Sequence, residues 1–418
     1  MAQSHPILLL QGPLGRFFEG LADAIDARGW VSHRIAFNMG DRCYAHGQYI
    51  TVYRDKPEAW SNYLAAYIRK HQIACIVLYG DSRFYHQVAR QVGTDMAVPV
   101  LCLEEGYLRP GYITAEWGGN NANSPLLQSG PLAGEQVHQA SIQKAIEDND
   151  VKIPPSMTVE NTFRQRAFWG IIYYHMHFYF QKYVKYYRHH RPGAGFGEMV
   201  KWVWAGAMKY LVRWSDRIVQ QKILHHGKNH QGRVFFCPLQ VSVDAQIIHH
   251  SDFNSMEDYI EQLVSQFARC SKKTDLLVFK HHPMDRGFKN YKGIITRYAR
   301  ENNIGTRVLY AFDVDAGWFF DHADACITVN STLGFEAIRR QIPTYVFSTA
   351  FYQSAAITPA VMTFEQFISE PKMAVSKRLV ALVEQYIKSQ ALLTGDFYDQ
   401  RDKTTTNILD KLEEKILR

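Results

Sequence analysis

Hydrophobic and polar positions fall into two blocks of strand–helix alternation, separated by a long stretch of helical period. In the first block the apolar run Ile7-Leu8-Leu9-Leu10-Gln11 reads as a buried strand. Gly12-Pro13-Leu14-Gly15 follows as a turn, and Phe17 to Ala27 has the apolar spacing of a helix. A strand is expected around Val31 to Phe37 and a helix from Trp60 to Lys70. A buried strand from Ile73 to Tyr79 ends in Gly80-Asp81-Ser82, before a helix from Phe84 to Val92 and a strand over Pro99 to Leu103. Such alternation predicts a parallel sheet with right-handed crossovers.

The second block opens near Arg233 with the strand Val234 to Gln240, which runs on into Val241-Ser242-Val243-Asp244. A helix from Met256 to Cys270 leads to the strand Leu276 to Phe279, which delivers Lys280-His281-His282-Pro283 at its end. Arg307 to Tyr310 reads as a strand and Asp313 to Phe320 as a short helix. Cys326 to Val329 is a strand that hands Asn330-Ser331-Thr332 to the start of a helix, and Thr344 to Phe347 is a strand after it. In open α/β sheets ligands bind beyond the carboxyl ends of strands, where helix N-termini offer N–H groups to an anion. Two such ends here point to a phosphate-bearing ligand, a nucleotide. Asn407 to Arg418 closes the chain as an amphipathic helix, with Ile408, Leu409, Leu412 and Ile416 on one face.

Between the blocks, Ser141 to Lys228 reads as long helices, and Phe163 to Tyr187 is dense in rings, among them Phe168, Trp169, Tyr173, Tyr179 and Tyr183. Arg164, Arg166, Lys182, Lys185 and Arg188 are interleaved with them. Rings and cations together suit a helix lying at an anionic bilayer surface. They also suit an insert packing its rings on the two domains and, as a lesser alternative, stacking on nucleic-acid bases. No RNA-binding fingerprint accompanies them, so no nucleic-acid partner is expected. The domain expectation is residues 1–140, a helical segment 141–230, a second domain 231–395 and a terminal helix 396–418.

At 418 residues the chain is long enough for two domains, and 46% apolar with 21% charged residues is ordinary for a folded protein. A formal charge of +7 favours anionic partners without naming one. Six scattered cysteines without a CxxC read as reduced structural thiols of a cytoplasmic protein. The N-terminus lacks a basic n-region and a long apolar core, so no signal peptide is expected. No stretch approaches the roughly 20 apolar residues of a membrane span, which makes any membrane attachment peripheral.

Candidate chemistry sits at the predicted strand ends. Glu104-Glu105-Gly106-Tyr107-Leu108-Arg109-Pro110 offers paired carboxylates for acid–base work, or two solvated loop glutamates. The residues after it, Ile113 to Ser124, have the composition of a binding loop. Asp244 points into a cleft or caps a helix. Gly12 and Gly15 do not make a GxGxxG fingerprint, and serve a ligand or only the turn.

Taken together, Gln11-Gly12-Pro13-Leu14-Gly15, Glu104 to Pro110 with Ile113-Thr114-Ala115-Glu116, Cys237-Pro238-Leu239-Gln240 with Asp244 and Gln246, His281-His282-Pro283 and Asn330-Ser331-Thr332-Leu333-Gly334 resemble the bacterial capsule polysaccharide synthesis family. The resemblance is to its β-Kdo transferases, in the single-module branch. It implies a GT-B glycosyltransferase, with two Rossmann-like domains facing a cleft. The activity implied is retaining transfer of Kdo from CMP-Kdo to a phosphatidylglycerol-type lipid at the inner face of the cytoplasmic membrane. The two-module β-Kdo transferase and other capsule assembly proteins are the implied partners, and no cofactor or metal is implied.

On this reading His282, Asp244 and Glu105 are catalytic: His282 contacts the CMP phosphate or donates a proton to it, and Asp244 and Glu105 are nucleophile and base, or the reverse, with Glu104 the alternate base. Lys280, His281, Asn330, Ser331, Thr332, Gly334 and Gln240 line the donor site, and Gly12, Glu104, Tyr107 and Arg109 the acceptor side. A nucleotide-sugar epimerase of the same fold and a non-catalytic membrane-associated scaffold are the alternatives.

Overall fold

The structure is a computed structural model. It describes residues 5–416 apart from 130, 134–138, 148–152, 161, 190–207, 209–210, 230–231, 242–252, 286–288, 354–356, 359–361 and 372–375. The chain divides into two compact units. The first comprises Met1–Ser129, Asn149–Glu198 and Gln385–Arg418; the second comprises Gly130–Asp148 and Met199–Glu384.

The first unit is built on strands β1 (Pro6–Leu9), β2 (Val31–Ala36), β3 (Tyr49–Val52), β4 (Cys75–Tyr79), β5 (Val100–Glu105) and β6 (Tyr112–Trp117). It also takes Leu392–Thr394, numbered β12 because β7 (Val234–Pro238), β8 (Leu276–Lys280), β9 (Val308–Ala311), β10 (Ala325–Thr328) and β11 (Thr344–Val346) precede it. Its order is β12-β6-β5-β4-β1-β2-β3, parallel from β5 to β3, with β6 and β12 antiparallel at one edge. The central strand is apolar on both faces, as a sheet covered on both sides requires. Ile7 and Leu9 join the helices Phe17–Ala27 and Arg401–Ile416 in one core, while Leu8 and Leu10 join Trp60, Leu64 and Tyr85 in the other.

Two sequence expectations change here. The terminal helix, expected as a separate element, packs Ile408, Leu409 and Leu412 against Phe17 and Phe18 of the first unit. The supposed binding loop after Glu105 begins as β6, pairing Glu105 with Ile113 and Glu104 with Thr114. The alternation of Tyr112 to Trp117 is satisfied by pairing with β5, so the polar residues mark the turn and not a loop. Only 118–124 remain irregular or 3₁₀.

The second unit carries an all-parallel sheet ordered β11-β10-β7-β8-β9. Phe235 and Cys237 pack with the helix Met256–Cys270 on one face, and Val234 and Phe236 with Phe319 and Phe320 on the other. In each unit the order reverses beside the first strand, between β1 and β4 and between β7 and β10. Those reversals are the switch points where a crevice opens at the carboxyl ends. Two doubly wound, Rossmann-like units are what the alternation predicted.

The segment 141–230, expected as one helical insert, is shared: 149–198 belong to the first unit, and 141–148 and 199–230 to the second. No described helix is long and apolar enough to cross a membrane. The six cysteines form no disulfide; Cys75, Cys102, Cys237 and Cys326 are buried strand residues, as their apolar surroundings implied.

Candidate active site

In the second unit, three neighbouring strands deliver the sequence-predicted residues to one end of the sheet. Gln240 lies just beyond β7, Lys280 to His282 end β8, and Asn330-Ser331 end β10. Gln240 spans the switch point: its Nε2 donates to Asn330 Oδ1 at 2.8 Å, and the Asn330 N–H donates to its Oε1 at 3.2 Å. Both ends of that amide are engaged, so it sets the position of the β10 turn.

Ser331 caps the helix Thr332–Arg339, its Oγ accepting from the Leu333 N–H at 3.2 Å. Serine is preferred at such caps because its oxygen satisfies a first-turn N–H. Thr332 is the first helical residue, and no acidic residue occupies that first turn. Gly334 allows close packing: a Cβ there would overlap the Tyr352 hydroxyl, which donates to the Ser331 carbonyl at 2.6 Å. Tyr352 therefore braces the turn that carries Ser331, a role the sequence did not signal.

The two adjacent histidines separate clearly. His281 is fully buried, its ring stacked on Phe312 at 4.5 Å and 6° and its Nδ1 hydrogen-bonded to the Tyr310 hydroxyl at 2.6 Å. His282 is partly exposed, ahead of Pro283. Lys280 is buried, with its Nζ 3.4 Å from the His281 carbonyl. Asp244 lies outside the described residues.

In the first unit the carboxyl ends of β1, β4 and β5 carry a different population. Gly12 closes β1, where a Cβ would press on the Phe18 ring. Beside it Gln11 donates to the buried Asp41 at 2.7 Å and to the Tyr187 hydroxyl at 3.0 Å. Glu105 is held by Arg166, with contacts of 3.1 and 3.3 Å to its two oxygens, and lies 3.4 Å from the Tyr79 hydroxyl. Arg166 also approaches Asp396 at 3.8 Å and lies over the Tyr398 ring. Glu104 next to it has no hydrogen bond or ion pair among the described residues. Burial raises its pKa to about 7, helped by Glu105 and Asp81 and opposed by Arg83 and Arg109.

Tyr107 is buried, donating to Glu116 Oε2 at 2.6 Å, while Ser124 donates to the other oxygen at 2.5 Å. That pair anchors the loop after β6 to the sheet. Arg109 is exposed, with its Nε bonded to the Gly106 carbonyl at 3.0 Å. Sequence reasoning missed Arg83, which sits beyond β4 with its guanidinium over the Tyr79 ring. The turn Gly80-Asp81-Ser82 before it was the available signal.

The aromatic helix Phe163–Phe180 has two apolar faces. Trp169 packs at Gly15 and Tyr44, and Tyr173 at Gly40, where its hydroxyl accepts from Asn38 at 2.7 Å. Phe168, Ile171 and Tyr179 point outward, 56%, 42% and 61% exposed.

Two doubly wound units, one with a helix N-terminus and histidines at its strand ends and the other with paired carboxylates and arginines, define a two-domain Rossmann-like α/β protein. Sequence comparison supplies the family: residues 74–398 match the model described as Capsule polysaccharide biosynthesis protein, and the chain belongs to that family. It is 33% identical over 407 residues to the capsule polysaccharide modification protein LipB of Neisseria meningitidis serogroup A, covering 96% of this chain and 93% of that one. It is 34% identical over 352 residues to the capsule polysaccharide export protein KpsS of Escherichia coli, covering 84% and 86%. Among solved structures, Thermosulfurimonas dismutans KpsC, a β-Kdo 2,7 transferase, aligns over 98% of this chain and 100% of that chain, at 11% identity and a TM-score of 0.46.

Proposed function

We propose that this protein is a retaining glycosyltransferase of capsule assembly, moving Kdo from CMP-Kdo to a hydroxyl of a phosphatidylglycerol-type lipid. The observation that carries the reading is Glu104: a carboxylate at the carboxyl end of a Rossmann-like sheet, not engaged by any described partner, with a pKa near 7. A general base works best when its pKa lies near the operating pH. Glu105, the first choice from sequence, is tied to Arg166. On geometry Glu104 is the better base, and Glu105 a residue that fixes the Arg166 side chain.

In the first step a carboxylate attacks the anomeric carbon of Kdo, the bond to the CMP phosphate breaks, and the electron pair leaves on that phosphate. Asp244 is assigned this role from its place in the sequence. His282, the partly exposed histidine, and the helix end at Ser331-Thr332 are assigned to the phosphate, supplying hydrogen bonds where charge develops. In the second step Glu104 takes the proton of the acceptor hydroxyl, whose oxygen displaces the enzyme carboxylate. Two inversions give net retention.

Support for a lipid acceptor comes from the outward apolar side chains Phe168, Ile171 and Tyr179, on the helix whose Arg166 holds Glu105. Lys182 and Lys185 follow in the next turns and are exposed. Such a face suits docking at the inner face of the cytoplasmic membrane. Incubation of the purified protein with CMP-Kdo and short-chain phosphatidylglycerol should give a lipid heavier by one Kdo. Consumption of CMP-Kdo without that product, or no reaction at all, overturns the reading. Trapping with donor alone and mapping the adduct tests the assignment of Asp244.

A further inference from the structure

We infer that Arg83 is the acceptor-recognition residue, binding the phosphate of a glycerophosphate headgroup while Glu104 takes the proton of that headgroup's hydroxyl. This inference rests on the transfer reading above and assigns the chemistry that selects its acceptor.

The geometry begins at Gly80, which turns the chain beyond β4 with φ +73°. A Cβ built there would lie 3.2 Å from Glu104 Oε2 and 3.8 Å from Arg83 Nε. Carboxylate and guanidinium thus sit over the same backbone point, yet they form no ion pair. Among the described residues the Arg83 side chain makes no hydrogen bond or ion pair, and its recorded contact is the face of Tyr79, 5.6 Å from the ring centre. Arg166, by contrast, is committed to Glu105 and Asp396.

Arg83 is also placed against local preference. It is the N-cap of the helix Phe84–Asp95, with no side-chain cap bond and no acidic residue in the first turn. A cation at a helix N-terminus opposes the helix dipole. Local rules are broken in this way mainly where function demands it.

An arginine fork recognises phosphate by parallel charge-assisted hydrogen bonds. A ligand that satisfies both groups must carry an anion and a hydroxyl a few bonds apart, as a glycerol phosphodiester does. Binding that anion would neutralise Arg83, one of the charges holding Glu104 down. The other charged groups facing Glu104 are Glu105, Asp81 and Arg109. Acceptor binding therefore strengthens the base that uses it.

The test compares the wild-type protein with Arg83→Ala and Arg83→Lys. Binding is measured by calorimetry with short-chain phosphatidylglycerol, glycerol phosphate and inorganic phosphate. Transfer is measured on the phosphatidylglycerol and on an alkylglycerol lacking phosphate. Arg83→Ala should weaken binding of both glycerophosphate probes about 10- to 100-fold and raise KM for the phospholipid by a similar factor, with a much smaller change in KM for the alkylglycerol. Its rate profile should rise at a higher pH than wild type, and Arg83→Lys should recover part of each effect.

Equal losses on both acceptors would show a structural role and overturn the inference. So would unaltered glycerophosphate binding, no binding of the glycerophosphate probes by wild type, or equal affinity for inorganic phosphate. Wild-type binding that is lost in Arg83→Ala, without transfer to either acceptor, would keep the Arg83 site and sink the transfer reading instead.

Discussion

The two sheets end in opposite chemical conditions. At the carboxyl end of the second sheet the polar groups satisfy one another: Gln240 with Asn330, Tyr310 with His281, Ser331 with the helix it caps, Tyr352 with the Ser331 carbonyl. At the end of the first, Glu104 and Arg83 stand close together without pairing to each other or to any other described residue. Groups held by such bonds keep their positions, as preorganised donors to a ligand require. Unpaired charges cost stability and are kept where they act. On the proposed function, the second end is the holder and the first the place where a proton moves.

The largest expected effect separates the two carboxylates of the first end. Glu104→Gln should lower transfer by about 10²- to 10⁴-fold, the range of a lost general base, with enzyme–Kdo trapping from donor alone intact. Glu105→Gln should cost about tenfold by loosening Arg166. Reversed magnitudes in a transfer assay would make Glu105 the base and dissolve the contrast.

Next comes Gly334→Ala, which tests the rigidity of the second end. Driving a methyl into the Tyr352 hydroxyl should cost about 1–3 kcal/mol of stability by overpacking and raise KM for the donor more than KM for the acceptor. Denaturant unfolding with donor kinetics checks both.

The pH dependence of stability should differ in sign between the units. The Glu104 pKa is raised from 4.5 to about 7 by burial, so the folded state binds a proton that the unfolded state lacks between those values. Stability is then lost as pH rises from 4.5 towards 7, and Glu104→Gln should exceed wild type by on the order of 1–2 kcal/mol at pH 8, allowing for its solvent contact, and match it below pH 4.5. In the second unit burial works to raise the Asp275 pKa, but hydrogen bonds from Arg233 and Lys272 win and hold it below 3.8. Its contribution is present above 3.8 and lost as pH falls through the lowered value. Asp275→Asn should destabilise at pH 7 and approach wild type in strong acid. Melting curves across pH that run parallel for the two variants would remove the electrostatic half of the comparison.

The smallest effect concerns the face beside the first end. Replacing Phe168 and Tyr179 with Ser should reduce flotation with anionic liposomes several-fold and leave melting unchanged, because both rings are outside the core. Unchanged flotation would leave these rings without a lipid role.

Much of the scaffold was legible along the chain. The helices Phe17–Ala27 and Met256–Cys270 fall where apolar spacing put them, as does the cap at Ser331, because each depends on interactions within a few residues. The strand β6 was harder. Its residues read as a polar loop until β5 is beside them, since pairing across Glu104 and Thr114 is a contact between segments. The aromatic helix was recognised as unusual, but sequence could not sort Trp169 and Tyr173, which face inward, from Phe168 and Tyr179, which face out. Both faces are apolar, so periodicity carries no orientation.

The sequence by itself determined the two α/β blocks, the strand ends that carry the candidate residues and the family to which the chain belongs, because local spacing and residue type encode these directly. Only the tertiary structure decided how the members of each pair differ in exposure and partners. His281 is sealed against Phe312 and Tyr310 while His282 is partly exposed. Glu105 is taken by Arg166 while Glu104 faces Arg83 across Gly80. Burial and partnership are set by residues distant in the chain, and neighbouring residues of identical type differ in nothing else.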